Sequence, residues 1–200
     1  MDISAEDVKK LREKTGAGVM DCKAALMECD GDFDAAIDYL RQKGIEVAQK
    51  RDSKTAAEGI IEAYIHGGGK IGVIVEINCE TDFAARSEDF EEFARDIAMQ
   101  IAAMSPRWVS AEDVPDNARE REREVLTRQA KEEGKPDHII EKMVEGRMRK
   151  FYENNCLLNQ PYIRDDSISV EEYLNEVMGK LGERMVIRRF TRYQVGEETE

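Results

Sequence analysis

Apolar positions in the first 44 residues recur at helical spacing in three short runs. Val8 and Leu11 are three apart in the first. Val19, Cys22, Leu26 and Cys29 share one face of the second, and Phe33, Ala36, Ile37 and Leu40 form an i, i+3, i+4, i+7 stripe in the third. Ser4 with Asp7 resembles a capping box, Asp standing in for the usual Glu. Thr15-Gly16-Ala17-Gly18 predicts a stop after the first helix, and Asp30-Gly31-Asp32 a turn whose second Asp caps the third. Gly44 predicts the end of that helix, and residues 45–56 read as a mobile linker with some helical character.

The period then changes to two. In 58–66, Ile61, Ala63 and Ile65 alternate with Glu62 and Tyr64, and in 71–79, Ile71, Val73, Val75, Ile77 and Cys79 share a face. Gly67-Gly68-Gly69 lies between them, which predicts a β-hairpin. Helical spacing returns in 87–104, where Phe90, Phe93, Ala94, Ile97, Ile101 and Met104 form one stripe before Ser105-Pro106. Residues 117–133 alternate Arg and Glu from 119 to 124 and read mostly as a solvated face, and Pro136 opens a helix over 136–153. Residues 154–168 read as an irregular connection, and Ser169 with Glu172 as a capping box before a helix over 170–181. A final strand, 184–195, has Met185, Ile187, Thr191, Tyr193 and Val195 on one face and Val186 and Phe190 on the other, ahead of the tail from Gly196 to Glu200. The fold class expected is α+β: a three-helix domain over 1–54, then a domain over 55–200 in which the last strand completes a three-stranded antiparallel sheet packed with helices.

Charge narrows the classes of function. Among 200 residues there are 30 Lys and Arg against 43 Asp and Glu, a net charge of −13. Phosphate neutralisation needs clustered basic side chains, so a direct nucleic-acid binder is not expected. No apolar run approaches ~20 residues, which removes a spanning helix. The first residues, Met1-Asp2-Ile3-Ser4-Ala5-Glu6-Asp7, lack a signal-peptide pattern, so a soluble cytoplasmic protein is expected.

The residues that could carry chemistry are few. Cys22, Cys29, Cys79 and Cys156 form no C-x-x-C pair and read as reduced packing thiols, and with only His66 and His138 the usual histidine-rich metal sites are absent. No cofactor and no metal are expected. Gly67, Gly69 and Gly72 fit G-x-G-x-x-G, but a strand follows where a dinucleotide site needs a helix, so they read as a turn. Glu76, Glu80 and Asp82 cluster near a strand end, where paired acids could move protons or bind a hard cation, though so acidic a chain yields such clusters by chance. In Asn78-Cys79-Glu80-Thr81-Asp82-Phe83-Ala84-Ala85-Arg86 the chain passes from strand to helix, with Thr81 or Asp82 as cap. Phe83 there is either folded into the core or exposed as an anchor for a partner protein. Val19, Met20 and Met27 on the second helix are core or contact patch, with core favoured on the residues alone.

Three segments carry a resemblance. Leu11-Arg12 with Thr15-Gly16-Ala17-Gly18-Val19-Met20-Asp21-Cys22-Lys23-Ala24-Ala25-Leu26 resembles the N-terminal signature of the elongation factor Ts family. The segment from Asn78 to Arg86 resembles its second signature, and Glu141-Lys142-Met143-Val144-Glu145-Gly146-Arg147-Met148 with Asn159-Gln160-Pro161-Tyr162 a third. The resemblance spans nearly the whole chain. It implies a non-enzymatic guanine-nucleotide exchange factor for elongation factor Tu, acting on its GDP-bound and nucleotide-free forms. It further implies a ubiquitin-associated-like N-terminal domain docking on the GTPase's nucleotide domain. Positions matching the family's contacts are Arg12, Val19, Met20, Asp82 and Phe83, with Val19 where the family usually has Met and Ala84 where Val is common. The Thr81-Asp82-Phe83-Ala84 segment matches the one whose Phe enters beside the GTPase's magnesium site. A short member with one hairpin signature resembles those that pair two chains, so a homodimer is expected. Two other classes compete: a module recognising ubiquitin-like proteins, which leaves Thr81-Asp82-Phe83 idle, and an enzyme using Glu80 and Asp82, for which no substrate pocket is legible.

Overall fold

A computed structural model describes residues 3–51, 53–134 and 136–198. Met1 and Asp2 of the N-terminus, Asp52 of the expected linker, Lys135, and Thr199 and Glu200 of the tail lie outside the described residues. The element order is α1 (Ala5–Thr15), α2 (Val19–Glu28), α3 (Phe33–Arg51), β1 (Glu58–His66), β2 (Ile71–Cys79), α4 (Asp82–Ala85), α5 (Glu88–Met104), α6 (Asp116–Glu132), α7 (Asp137–Asn155), β3 (Pro161–Tyr162), β4 (Asp165–Ser169), α8 (Val170–Leu181) and β5 (Met185–Gln194). A 3-10 turn at Leu157–Asn159 precedes β3. By internal contacts the chain forms two units, Met1–Glu62 with Glu76–Asp96 and Glu172–Arg188, and Ala63–Val75 with Ile97–Glu171 and Arg189–Glu200.

In the first unit the sequence punctuation works locally. The Ser4 hydroxyl accepts from the Asp7 N–H at 3.1 Å and donates to the Asp7 carboxylate at 2.6 Å. Gly16 closes α1 in the left-handed region (φ +67°), its N–H donating to the Arg12 carbonyl, a conformation a β-carbon disfavours. Asp32 Oδ1 accepts from the Asp34 and Ala35 N–H groups at 3.0 Å each and starts α3. Val8, Leu11, Cys22, Ala25, Leu26 and Ala36 then close a small core, with Phe33, Ile37 and Leu40 packed on it.

Gly44 does not end α3. The helix runs on to Arg51 and takes up much of the segment expected to be a linker. Gly mid-helix costs about 0.5–1 kcal/mol relative to Ala, and here the missing side chain admits α8. A β-carbon on Gly44 would stand 3.1 Å from the Asn175 carbonyl oxygen, and one on Gly179 would stand 3.0 Å from the Gly44 Cα. Arg41 pairs with Glu176 beside this crossing at 3.0 Å. Phe90, Phe93 and Ala94 of α5, and Leu174, Val177 and Met178 of α8, are buried in the same unit. Phe93 and Tyr173 meet at 5.2 Å between ring centroids.

Strands β1, β2 and β5 form a three-stranded antiparallel sheet in the order β1-β2-β5. Val73, Val75, Ile77 and Cys79 of β2 are buried as the alternation requires. The apolar set of β1 points the other way, with Ile61 and Ile65 more than two-thirds exposed. Strand β5 also departs from strict alternation. Met185 and Ile187 are buried, but further along Phe190 and Arg192 are the partly buried positions while Thr191 and Tyr193 are exposed. Arg188 and Arg189 are both exposed at the switch. Beyond it Arg192 Nε donates to the Ala102 carbonyl at 3.4 Å, so Thr191 and Tyr193 do not continue the face of Met185 and Ile187.

The second unit holds what periodicity missed. Residues expected as an irregular connection form the β3–β4 pair, with Pro161 opposite Ser169 and Tyr162 opposite Asp165. Strands this short leave no alternation to read. Gln100 and Gln160, both fully buried, hold the approach to this pair. Gln100 Nε2 donates to Gln160 Oε1 and to the Pro161 carbonyl, and its Oε1 accepts from the Ile163 N–H at 2.9 Å. Helix α6 is not solvated all round, because Leu126 and Ala130 bury against Ile140, Val144 and Met148 of α7. Arg147 adds an ion pair to Glu133 at 2.7 Å.

Candidate functional site

Burying a Phe side chain is worth roughly 1.5–3 kcal/mol, so one left in water at an ordered position is informative. Phe83 is 86% exposed, while Phe90 and Phe93 a few residues on are fully buried. It stands on α4, a single turn flanked by Ala84 and Ala85, which are buried. Of the two settings open for Phe83, the structure adopts the exposed one.

A four-residue helix has too few internal hydrogen bonds to hold itself, and the corner supplies the rest. Thr81, not Asp82, is the cap, its hydroxyl oxygen accepting from the Ala84 N–H at 3.2 Å. Ser87 Oγ donates to the Ala84 carbonyl at 2.7 Å and accepts from the Phe90 N–H, joining α4 to α5. Asp82 pairs with Arg86 at 3.0 Å, both exposed.

Behind the corner two consecutive acid–neighbour pairs clasp each other. The Thr81 N–H and Oγ–H donate to the two Glu183 carboxylate oxygens at 3.1 and 2.6 Å. In return Glu80 Oε1 accepts from the Arg184 N–H and from Arg51 Nη1, each at 2.7 Å. Arg184 also donates to the Lys54 carbonyl at 2.8 Å. The Arg184 backbone N–H, and then the Arg51 guanidinium, hold the Glu80 carboxyl below the usual carboxylate range. Burial, reinforced by the Glu183 charge, pushes the Cys79 thiol up. The candidate acids therefore do not converge on a free site. Glu80 is committed to Arg51 and Arg184, Asp82 to Arg86, and Glu76 accepts from Asn78. Among the described residues no group of three or more His, Cys, Asp or Glu is placed to hold a metal ion.

A second patch sits where α1 hands over to α2. Val19, Met20 and Met27 are 51%, 73% and 60% exposed, so none is core, contrary to the expectation for this helix. The inward face of α2 is filled by Cys22, Ala25 and Leu26, which leaves the other apolar residues outside. Arg12 is exposed beside this turn. Lys43 Nζ reaches Asp21 Oδ1 at 2.6 Å and fixes the start of α2 to α3. Thr81, Asp82, Phe83 and Ala84 thus share one corner, Arg12, Val19 and Met20 another patch, and both belong to the first unit.

The family model for "Elongation factor TS" matches residues 6–197. The chain belongs to the elongation factor Ts family. It is 57% identical over 198 residues to elongation factor Ts of Caldanaerobacter subterraneus subsp. tengcongensis, covering 99% of each chain. It is 55% identical over 195 residues to that of Moorella thermoacetica, covering 98% of this chain and 96% of the relative. Elongation factor Ts of Desulforamulus reducens is 56% identical over 199 residues, with 92% of its length covered. Membership of the elongation factor Ts family places the chain in protein biosynthesis, at translation elongation. No helix among the described residues is long and apolar enough to cross a membrane. What the sequence did not reveal is the role of Glu183 and Arg184 behind Thr81. They lie 102 and 104 positions from their partners, and no local pattern links them.

Proposed function

We propose that this chain is a guanine-nucleotide exchange factor for elongation factor Tu that works without covalent chemistry. The observation that carries this is Phe83, a large apolar side chain held out in water at 86% exposure on a capped turn. Arg12, Val19 and Met20 dock on the nucleotide domain of the GTPase, and Phe83, carried by Thr81, Asp82 and Ala84, enters beside its Mg²⁺ site. A GTPase grips its nucleotide through phosphate contacts and Mg²⁺, so a side chain that disfavours the magnesium geometry weakens the grip. Linkage makes the effect reciprocal. A factor that weakens GDP binding is itself weakened by GDP to the same degree, so incoming nucleotide releases it from the nucleotide-free complex. No direct nucleic-acid contact is required, the action is cytoplasmic, and residues 1–54 form the docking domain and residues 55–200 the core domain.

Release of fluorescent GDP from elongation factor Tu tests this. The unsubstituted chain should accelerate release, and Phe83→Ala should lose at least about tenfold of that acceleration, the size of one central interface anchor. Acceleration unchanged by Phe83→Ala would remove the insertion step.

The core domain also supports pairing of two chains. Ile65, Ile74, Tyr193 and Val195 of the second unit are all more than half exposed, apolar side chains that a second copy could cover. A two-fold axis would cover the same residues on both copies. Light scattering should report twice the 22.8 kDa chain mass, and Ile74→Glu should halve it. A monomer at micromolar concentration without any substitution would overturn the pairing.

A further inference from the structure

The mechanism proposed above needs Phe83 delivered at one place and angle, and α4 alone cannot provide that. We infer that Glu183, at the junction of α8 and β5, is the positioning residue for Phe83, acting through the Thr81 hydroxyl. This inference rests on the Phe83 reading and adds to it a residue outside all three family signatures.

The Thr81 hydroxyl has one proton and two lone pairs. Its proton is committed to Glu183 Oε1 at 2.6 Å, and its oxygen accepts from the Ala84 N–H at 3.2 Å. A hydroxyl free to rotate would satisfy the helix cap only part of the time. With the proton drawn toward a carboxylate, a lone pair faces Ala84 continuously, and the charge strengthens the oxygen as an acceptor. Glu183 Oε2 meanwhile accepts the Thr81 backbone N–H at 3.1 Å, so both the backbone and the side chain of the cap residue are fixed by one carboxylate. Phe83 lies two residues beyond the cap, inside the turn that Thr81 closes. The neighbouring contacts of Glu80 with Arg184 and Arg51 keep Glu183 in register, because they tie the residue before Thr81 to the residue after Glu183. Glu183 therefore sets how the cap is made without itself reaching a partner.

A positioning role and a merely structural one differ in what they change. Positioning alters how well bound factor ejects nucleotide, not how tightly factor binds through its other patch. Release of fluorescent GDP from elongation factor Tu is measured against factor concentration for the full chain, Glu183→Ala, Glu183→Gln, Thr81→Val, Phe83→Ala and the double variant Phe83→Ala/Glu183→Ala. Glu183→Ala should lower the saturating release rate about fivefold, the scale of the net contribution of one ordinary hydrogen bond, because the Thr81 hydroxyl can still cap part of the time, and leave the half-saturating concentration within about twofold. Glu183→Gln keeps an oxygen for the Thr81 N–H but turns an amide NH2, which cannot accept, toward the hydroxyl, so it should recover only a small part of the rate. Thr81→Val removes the hydroxyl with Glu183 intact and should reproduce the Glu183→Ala loss, which covers the case of a poorly folded alanine variant. On the Phe83→Ala background Glu183→Ala should cost nothing further. Equal losses on both backgrounds, or a shift in half-saturation alone, would overturn the inference and leave Phe83 as the wedge. If Phe83→Ala itself changes nothing, the parent reading falls and this one with it.

Discussion

Two exposed apolar features of the first unit are held out by opposite means. Val19, Met20 and Met27 ride on a ten-residue helix whose other face is packed into a small apolar core. Phe83 rides on a four-residue turn held by hydrogen bonds to charged groups that arrive from far along the chain. The first support is non-directional burial. The second depends on ionisation, hydroxyl orientation and register. A cavity should therefore damage the α2 patch and spare the corner, and loss of a charge should do the reverse.

The largest effect is expected from the core. Leu26→Ala should cost about 2–5 kcal/mol of unfolding free energy, read as a shift of the chemical denaturation midpoint, because Leu26 is fully buried in a core too small to collapse around the gap. A loss no larger than that of a surface substitution would show that the core is not what holds α2. Next comes Met20→Ala, which should raise the half-saturating factor concentration in GDP release up to about tenfold with the saturating rate unchanged. That is the mirror image of the outcome expected at Glu183.

Acid provides a gentler test of the corner. Glu80 titrates below its ordinary value of 4.5, so its clasp adds stability that is present above that value and is lost as pH falls through the lower folded-state value. Between pH 7 and 5 the melting temperature should not respond to this group. Below about 4 it should fall, and Arg51→Met should flatten that acid limb. An acid limb unaltered by Arg51→Met would mean that the ion pair at 2.7 Å contributes nothing.

The smallest and most local readout is thiol labelling. Cys22 is buried in the helical core and Cys79 behind the corner, where its thiol is also pushed up. Cys29 is half-buried and should label first in every variant. Leu26→Ala should speed labelling of Cys22 and not Cys79, and Glu183→Ala the opposite. Parallel acceleration of both thiols would make the two supports one.

Much of this was legible because it is local. The caps at Ser4 and Asp32, the Gly16 stop and the hairpin around Gly67-Gly68-Gly69 depend on side chains a few residues apart. What escaped depends on distance or on context. Gly44 looks like a stop to any rule of propensity, and only the arrival of Gly179 turns it into a crossing point. Strand β5 looked alternating because Arg188 and Arg189 conceal the change of inward face. The site divided in the same way. The Thr81-Asp82-Phe83 segment was visible as unusual and Thr81 was one of two candidate caps, but whether Phe83 faced inward was open. On the residues alone Met20 reads as core, because helical spacing does not say which apolar face a three-helix unit can cover, and only the family resemblance points it outward. Glu183 could not be found at all, since its meaning lies in residues a hundred positions upstream.

The exposure of Phe83 also bears on how such a protein would fare under artificial selection. A polar residue at that position loses no buried contact, since the ring touches mostly water, and would reduce stickiness in concentrated solution. Screens rewarding only melting temperature or expression yield would therefore favour its replacement, as they would that of Met20. Variants improved in that way would fold, cap α4 and keep their shape, yet on the proposed exchange role they would arrive at the partner empty-handed. Libraries built on this chain need a functional filter at these two codons from the first round.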